Sequence, residues 1–293
     1  MLTVEQLQNR KIGGSDVATI LGLNPYKTAE ELRLEILGRL PGFEGNEATE
    51  AGEIMEEPIR QLYAKRTGRE VRRSHVTLVH PKYDWLTCHI DGRIVGEKRG
   101  LECKNIHWRM ARYWGAEGSD EVAEYYLPQV HTYLLVMDFP VWDVAAFFGG
   151  SDLRVFEVER LKEWDEIVIE STYDFWHRNV RQDVPCEISP EHPHALEALG
   201  RIYPGTNGET VDLSELAHWH KVLQESKALS KQYDDAADIA KAHILRAMGE
   251  AAVGTVPGGS YQRKPVKRKG YFVEDKEYID FRFKPAKADK EAA

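Results

Sequence analysis

Cysteine is scarce in this chain: 293 residues hold three, Cys88, Cys103 and Cys186. They are odd in number, far apart and form no Cys-x-x-Cys pair, which argues against a zinc ribbon or a four-cysteine iron–sulfur cluster. A reduced, cytoplasmic setting is expected. Long apolar runs are missing too, so no segment reads as a bilayer span, and the opening MLTVEQLQNRK lacks the apolar stretch of a signal peptide. No Gly-Lys-Ser/Thr phosphate loop occurs, so coupled ATP use is not expected. Positive charge is not in excess. The net charge of −9 argues against a protein that simply coats DNA, although an enzyme acting on DNA needs only a local basic groove.

What is present suits a folded protein. Hydrophobic residues make up 42% of the chain and aromatics 10%, enough for a genuine core. The length fits one large domain, or one domain with an appendage. A Gly-rich turn at Gly13-Gly14 followed by Ser15-Asp16 and an apolar run reads as a capped short helix, with Ser15 or Asp16 as the cap. Helical spacing continues over 28–37 and 47–67. Strands are expected at 69–79, 85–95 and 100–106, then a helix over 123–136 interrupted by Pro128. Paired strands at 141–149 and 154–158 and a helix over 162–180 follow. A Pro-, Gly- and His-rich stretch at 182–212 reads as a linker or covering loop. Residues 213–248 lack Pro and Gly and read as one long helix or a helical hairpin. The tail from 253 to 283 suggests a small hairpin.

The most informative run is WLTCHIDGRIVGEKRGLECKNI at 85–106. Two apolar stretches flank the polar Gly96–Gly100 segment, as in a β-hairpin. Side chains alternate faces along a strand. Glu102 and Lys104 therefore project together, while Leu101 and Cys103 point into the core and Asp91 lies beside them. Two carboxylates and an ammonium at one point can hold a hard divalent cation and position a water for phosphodiester hydrolysis. Taken alone, the same pair also suits the solvated face of an edge strand.

The surrounding motifs narrow the reading. RKIGGSDVATILGLNPYKT at 10–28, GEIMEEPIRQLYAKRTG at 52–68, HPKYDWLTCHIDGRI at 80–94, GLECKNI at 100–106, YYLPQVHTYLLV at 125–136 and FFGG at 147–150 occur in that order. Phe175-Trp176 follows. Together, over residues 8–185, they resemble the YqaJ-like viral recombinase family, relatives of the phage lambda exonuclease within the PD-(D/E)XK nucleases. The resemblance implies an α/β fold, with a mixed central sheet flanked by helices over 1–200. A C-terminal helical and β-hairpin appendage would occupy 201–293.

The same resemblance implies site roles. Asp91, Glu102 and the Cys103 backbone carbonyl would hold Mg²⁺, with Mn²⁺ able to substitute, and Lys104 would orient the attacking water. For the acid on the 52–68 helix, Glu56 and Glu57 both qualify. Helical facing favours Glu56, whereas Glu57 directly precedes Pro58, as the family's acid more often does. Gln129 matches a glutamine that contacts the reacting phosphate, and Tyr126 would line the same groove or belong to the core. Arg10, Ser15 and the Gly13-Gly14 turn would receive a 5′-phosphate, although Ser15 also suits a simple helix cap. The cationic run containing Lys264 and Arg268 would track the DNA backbone or form a solvated tip. Trp108 and Trp114, with Arg109 and Arg112, are candidates for stacking on a frayed strand end. The implied activity is Mg²⁺-dependent hydrolysis of linear double-stranded DNA from 5′ ends, leaving 3′ single strands for recombination. Double-stranded DNA ends, a single-strand annealing protein and a homotrimer are the implied partners. A PD-(D/E)XK endonuclease and a non-catalytic DNA-binding scaffold are the competing expectations.

Overall fold

The computed structural model describes residues 10–267. The chain divides into two compact units, one ending at Pro204 and the other beginning at Gly205.

The first unit opens with β1 (Ile12–Gly13), α1 (Gly14–Ile20), α2 (Ala29–Ile36) and α3 (Glu47–Thr67). Short strands β2 (Val71–Arg72), β3 (Leu78–Val79), β4 (Leu86–Cys88) and β5 (Gly92–Ile94) lead into the long β6 (Arg99–Ile106). A 3₁₀ turn (Trp108–Tyr113) and helix α4 (Leu127–Met137) connect β6 to β7 (Val141–Phe148), which turns into β8 (Asp152–Glu159). Helix α5 (Lys162–Asp174) passes into a π-helical turn (Phe175–Arg181), and α6 (Ala195–Ile202) follows.

The main sheet has the order β2-β5-β6-β7-β8, with β6 and β7 parallel and the other pairs antiparallel. A second sheet has the order β1-β4-β3. Helices cover both faces of the central β6–β7 pair, as a parallel pair requires. On one face, Ile59 and Tyr63 of α3 pack against Leu101, Cys103, Ala145 and Phe147. On the other, Val130, Tyr133 and Leu134 of α4 join Trp142, Val144, Ala146, Phe148 and Phe156. The strand alternation read from the sequence therefore holds. Odd-numbered residues of β6 face α3, and Glu102 and Lys104 share the other face with α4.

Several local expectations change. The 85–95 stretch is two strands in two sheets, and the break between them carries Asp91. β5 packs closely on its neighbour just after the switch: a Cβ on Gly92 would stand 2.5 Å from Val71 Cγ1. Pro128 does not interrupt α4. It occupies the first turn, where no amide donor is required, and so begins the helix. Ser15 is not the cap of α1; Gly13 is, and its amide donates to Asp16 Oδ2 at 2.9 Å. The 162–180 helix changes to π geometry at Phe175.

The second unit contains α7 (Ala217–Met248), a single continuous helix after a 3₁₀ turn at Ser214–Leu216, and an antiparallel hairpin of β9 (Val253–Val256) and β10 (Gly259–Gln262). The hairpin falls inside the expected 253–283 range, the end of which lies outside the described residues. No described helix is long and apolar enough to cross a membrane.

Gly100 of β6 lies tightly against its partner across the sheet, Trp142 of β7. A Cβ there would stand 2.2 Å from the Trp142 ring, which is itself fully buried. Gly100→Ala is expected to lower stability by about 1–3 kcal/mol through overpacking, measured as a lower urea midpoint with an unchanged slope.

Candidate active site

The site grows from the switch between sheets. Asp91 stands just before β5, and the Cys103 amide of β6 donates to its Oδ2 at 2.7 Å. This bond ties the first carboxylate to the strand that carries the second. Glu102 is only 3% exposed. Its Oε1 faces Lys104 Nζ at 2.6 Å. Gln129 of α4 closes the set: its Oε1 accepts from Lys104 Nζ at 3.0 Å and its Nε2 donates to Glu102 Oε1 at 3.0 Å. The same Nε2 donates to the Tyr133 hydroxyl one helical turn on.

Burial and the nearby charge of Asp91 push the Glu102 carboxyl up to about 8, and Lys104 offsets part of that rise. Burial works to lower the Lys104 ammonium pKa, but the Glu102 charge and hydrogen bond outweigh it, and the value is raised. The pair thus keeps Lys104 charged in a water-poor setting.

These groups line a cleft of about 620 Å³, together with Gly13, Gly14, Ser15, Glu56, His89 and Tyr126. Tyr126 lies under the ammonium of Lys104, 4.7 Å from nitrogen to ring centre, a cation–π distance. Gly14 permits α1 to approach α4, because a Cβ there would meet Tyr133 Cε1 at 2.7 Å. The turn that places Ser15 on the cleft is therefore packed against the tyrosine that holds Gln129.

The two adjacent acids of α3 separate. Glu56 lines the cleft, and burial followed by the charge of Asp91 raises its pKa. Glu57 turns away to accept from Arg60 and Gln61. Arg60, only 5% exposed, also donates to the Asp91 backbone carbonyl at 2.9 Å. Arg60 and Tyr133 were not among the residues expected from sequence. Each lies four residues along its helix from an expected one, Glu56 and Gln129, and that spacing was the available signal.

Other expected residues fall elsewhere. The Arg10 guanidinium is taken by Asp16 at 3.1 Å and Glu35 at 3.4 Å and does not line the cleft. Trp114 belongs to the core, packed on Phe148 and Phe156, whereas Trp108 is exposed. His89 lines the cleft and bonds Thr77 Oγ1 at 3.1 Å. Lys264 is exposed in the second unit, and Arg268 lies outside the described residues.

The donor set fits a hard divalent cation. Glu102 Oε2 is buried with no hydrogen-bond partner, an arrangement that leaves a carboxylate oxygen in need of a positive neighbour. Among the described residues no group of three His, Cys, Asp or Glu side chains is gathered for a metal. Two side-chain carboxylates, Asp91 and Glu102, thus share the cleft, a sparse oxygen set of the kind that suits an ion that keeps waters and takes oxygens from its substrate.

Comparison with known proteins finds similarity in sequence and in structure. The YqaJ-like viral recombinase domain matches residues 5–140. The uncharacterized protein YqaJ of Bacillus subtilis (strain 168) is 32% identical over 270 residues, covering 89% of this chain and 82% of that protein. Among solved structures, the alkaline exonuclease LHK-Exo from Laribacter hongkongensis aligns with a TM-score of 0.48 at 18% identity, covering 62% of this chain and 94% of that one. A phage related exonuclease from Haemophilus somnus 129PT aligns at 0.47 and 14% identity, covering 59% and 96%. With the family's domain matched over residues 5–140 and a 32%-identical relative aligned along most of both chains, the chain belongs to the YqaJ-like viral recombinase family.

Proposed function

We propose that this protein is a divalent-metal-dependent exonuclease that hydrolyses linear double-stranded DNA from 5′ ends, leaving 3′ single strands for recombination by strand annealing. The observation that carries this reading is the convergence of Asp91, Glu102, Lys104 and Gln129 on one cleft, with Glu102 Oε2 buried and unpartnered. A scaffold protein has no use for two carboxylates held together at a cost in desolvation.

Asp91, Glu102 and the Cys103 carbonyl are the groups that would hold Mg²⁺, or Mn²⁺ in its place. When bound, the ion supplies Lewis-acid neutralisation of phosphate charge and acidifies water. Lys104, already cationic and fixed by two acceptors, offers N–H donors to the attacking water and to the charge that builds on phosphorus. Gln129 keeps Lys104 and Glu102 in register and presents its amide toward the phosphate. Glu56, with its raised pKa, is suited to take a proton at the cleft edge. Ser15, exposed at the rim, offers its hydroxyl to a terminal phosphate. Action in the bacterial cytoplasm, on behalf of a phage or prophage, with an annealing protein as partner and a trimeric ring around DNA, completes the reading.

Linear duplexes with 5′-phosphate or 5′-hydroxyl ends, compared with closed circles, test the activity. Linear 5′-phosphorylated DNA should disappear in Mg²⁺ and persist in EDTA; circles should survive, and cut circles would make the protein an endonuclease. Lys104→Ala should reduce the rate about a hundredfold or more without changing the unfolding midpoint by a comparable margin.

Because the folded protein holds the Glu102 proton more tightly than the unfolded chain, metal-free stability should fall as pH rises from about 4.5 to about 8. Metal binding displaces that proton. Calorimetry in buffers of different ionisation enthalpy should show Mg²⁺ affinity rising with pH through about 8, with proton release that Glu102→Gln abolishes.

Arg60 acts through Asp91 as a positioning residue. Arg60→Lys keeps the charge but loses the fork that reaches both Glu57 and the Asp91 carbonyl. It should weaken Mg²⁺ affinity about tenfold or more, in the range seen for residues that orient metal ligands. The rate at saturating Mg²⁺ should largely recover, a split that a purely structural role would not produce.

A further inference from the structure

The 3₁₀ turn that follows the Lys104 strand has two sides. Met110 and Ala111 pack inward on the core, and the next residue after the turn, Trp114, is 7% exposed and anchors its end. Trp108, Arg109, Arg112 and Tyr113 all point outward, with Trp108 62% and Tyr113 54% exposed. Each ring carries a guanidinium. Arg109 stands 5.4 Å from the Trp108 ring centre, and Arg112 stands 4.8 Å from that of Tyr113. Arg112 also donates to the Tyr113 hydroxyl at 3.0 Å.

Single exposed aromatics are ordinary. Two in six residues, each beside an arginine, are a different matter when the charges are compared. Arg33, Arg60, Arg69, Arg99 and Arg160 of this unit are all held by carboxylates. Arg109 and Arg112 enter no ion pair among the described residues, so their charge is open to an anion.

The turn is also rigidly founded. The Gly149 amide donates to the Ile106 carbonyl at 2.9 Å, and Gly149, at φ +58°, leaves room for Trp108, whose Cβ would lie 3.1 Å from a Cβ at that position. Asn105, three residues before Trp108, lines the cleft. Trp108 lies four residue steps of extended chain beyond Lys104, about 13 Å, and the turn spans about 10 Å more. Those lengths suit a few nucleotides of unpaired strand.

We infer that Trp108, Arg109, Arg112 and Tyr113 form a contact site for single-stranded nucleic acid, the rings stacking on unpaired bases and the guanidinium groups meeting the adjacent phosphates. Stacking tolerates any base, because every base has a π face, and the open arginines supply local charge complementarity beside the rings of an overall acidic chain. The inference rests on the nuclease reading for its purpose: the site would hold the strand that hydrolysis leaves unpaired.

Equilibrium binding of fluorescein-labelled oligothymidylate of about eight nucleotides, a length within the reach of such sites, is the test. It is made in EDTA, so that hydrolysis plays no part. Trp108→Ala and Tyr113→Ala should each weaken binding about 5- to 100-fold, Trp108→Phe should restore most of it, and Tyr203→Ala, an exposed ring in another segment, should leave it unchanged. Wild-type tryptophan fluorescence should be quenched on binding, and the quench should be lost in Trp108→Phe. Circular dichroism identifies any variant that fails to fold, in which case the Phe variant and the quench decide. Oligonucleotide affinity and quench unaffected by Trp108 would overturn the inference. Should the protein bind through Trp108 yet never hydrolyse DNA, the contact site stands and the nuclease reading falls.

Discussion

A carboxylate in the interior of a sheet face is the constraint around which this fold is arranged. Glu102 lies in β6 between helix and strand layers, where an isolated charge would be very unfavourable. Two groups compensate it, the ammonium of Lys104 and the amide of Gln129, while its second oxygen is left without a hydrogen-bond partner. The chain must therefore bring α4 over β6, and the parallel β6–β7 pairing with α4 as its crossover does that. Charge placement and topology are consequences of one another here.

The opposite layer serves the other carboxylate. Asp91 is held by the Cys103 amide through its side chain and by Arg60 through its backbone. One of these contacts comes from β6, the strand that carries Glu102, and the other from α3, so β6 fixes both acids and α3 braces the first. Adjacent acids on α3 then take different tasks. Glu56 faces the cleft, while Glu57 steadies the arginine that steadies Asp91.

Much of this was legible in the sequence, for identifiable reasons. A period of two along 100–106 separates Leu101 and Cys103 from Glu102 and Lys104, and the structure keeps that separation. Helical facing distinguishes Glu56 from Glu57 without coordinates. What was not legible depends on tertiary packing. The break at Asp91 divides one apolar run between two sheets, and Gly92 just after it packs on Val71, a residue some twenty positions away. Arg10 looks like a free cation until Asp16 and Glu35 are found beside it. Pro128 reads as an interruption only if the helix is assumed to begin earlier than it does. Trp108 and Trp114 are indistinguishable as letters, yet one is core and the other is surface.

The burial of Cys103 has a consequence for chemistry outside hydrolysis. Its amide donates to Asp91 in the cleft, but its side chain lies among Ile59, Tyr63 and Leu101 on the far face of the strand. Burial and the charges of Asp91 and Glu102 push its thiol pKa well up, as burial does for Cys88. Thiolate is the form that oxidants and alkylating agents attack. A cleft whose nearest cysteine is buried and protonated is thus insulated from redox conditions, and changes in the surrounding thiol balance should leave it untouched.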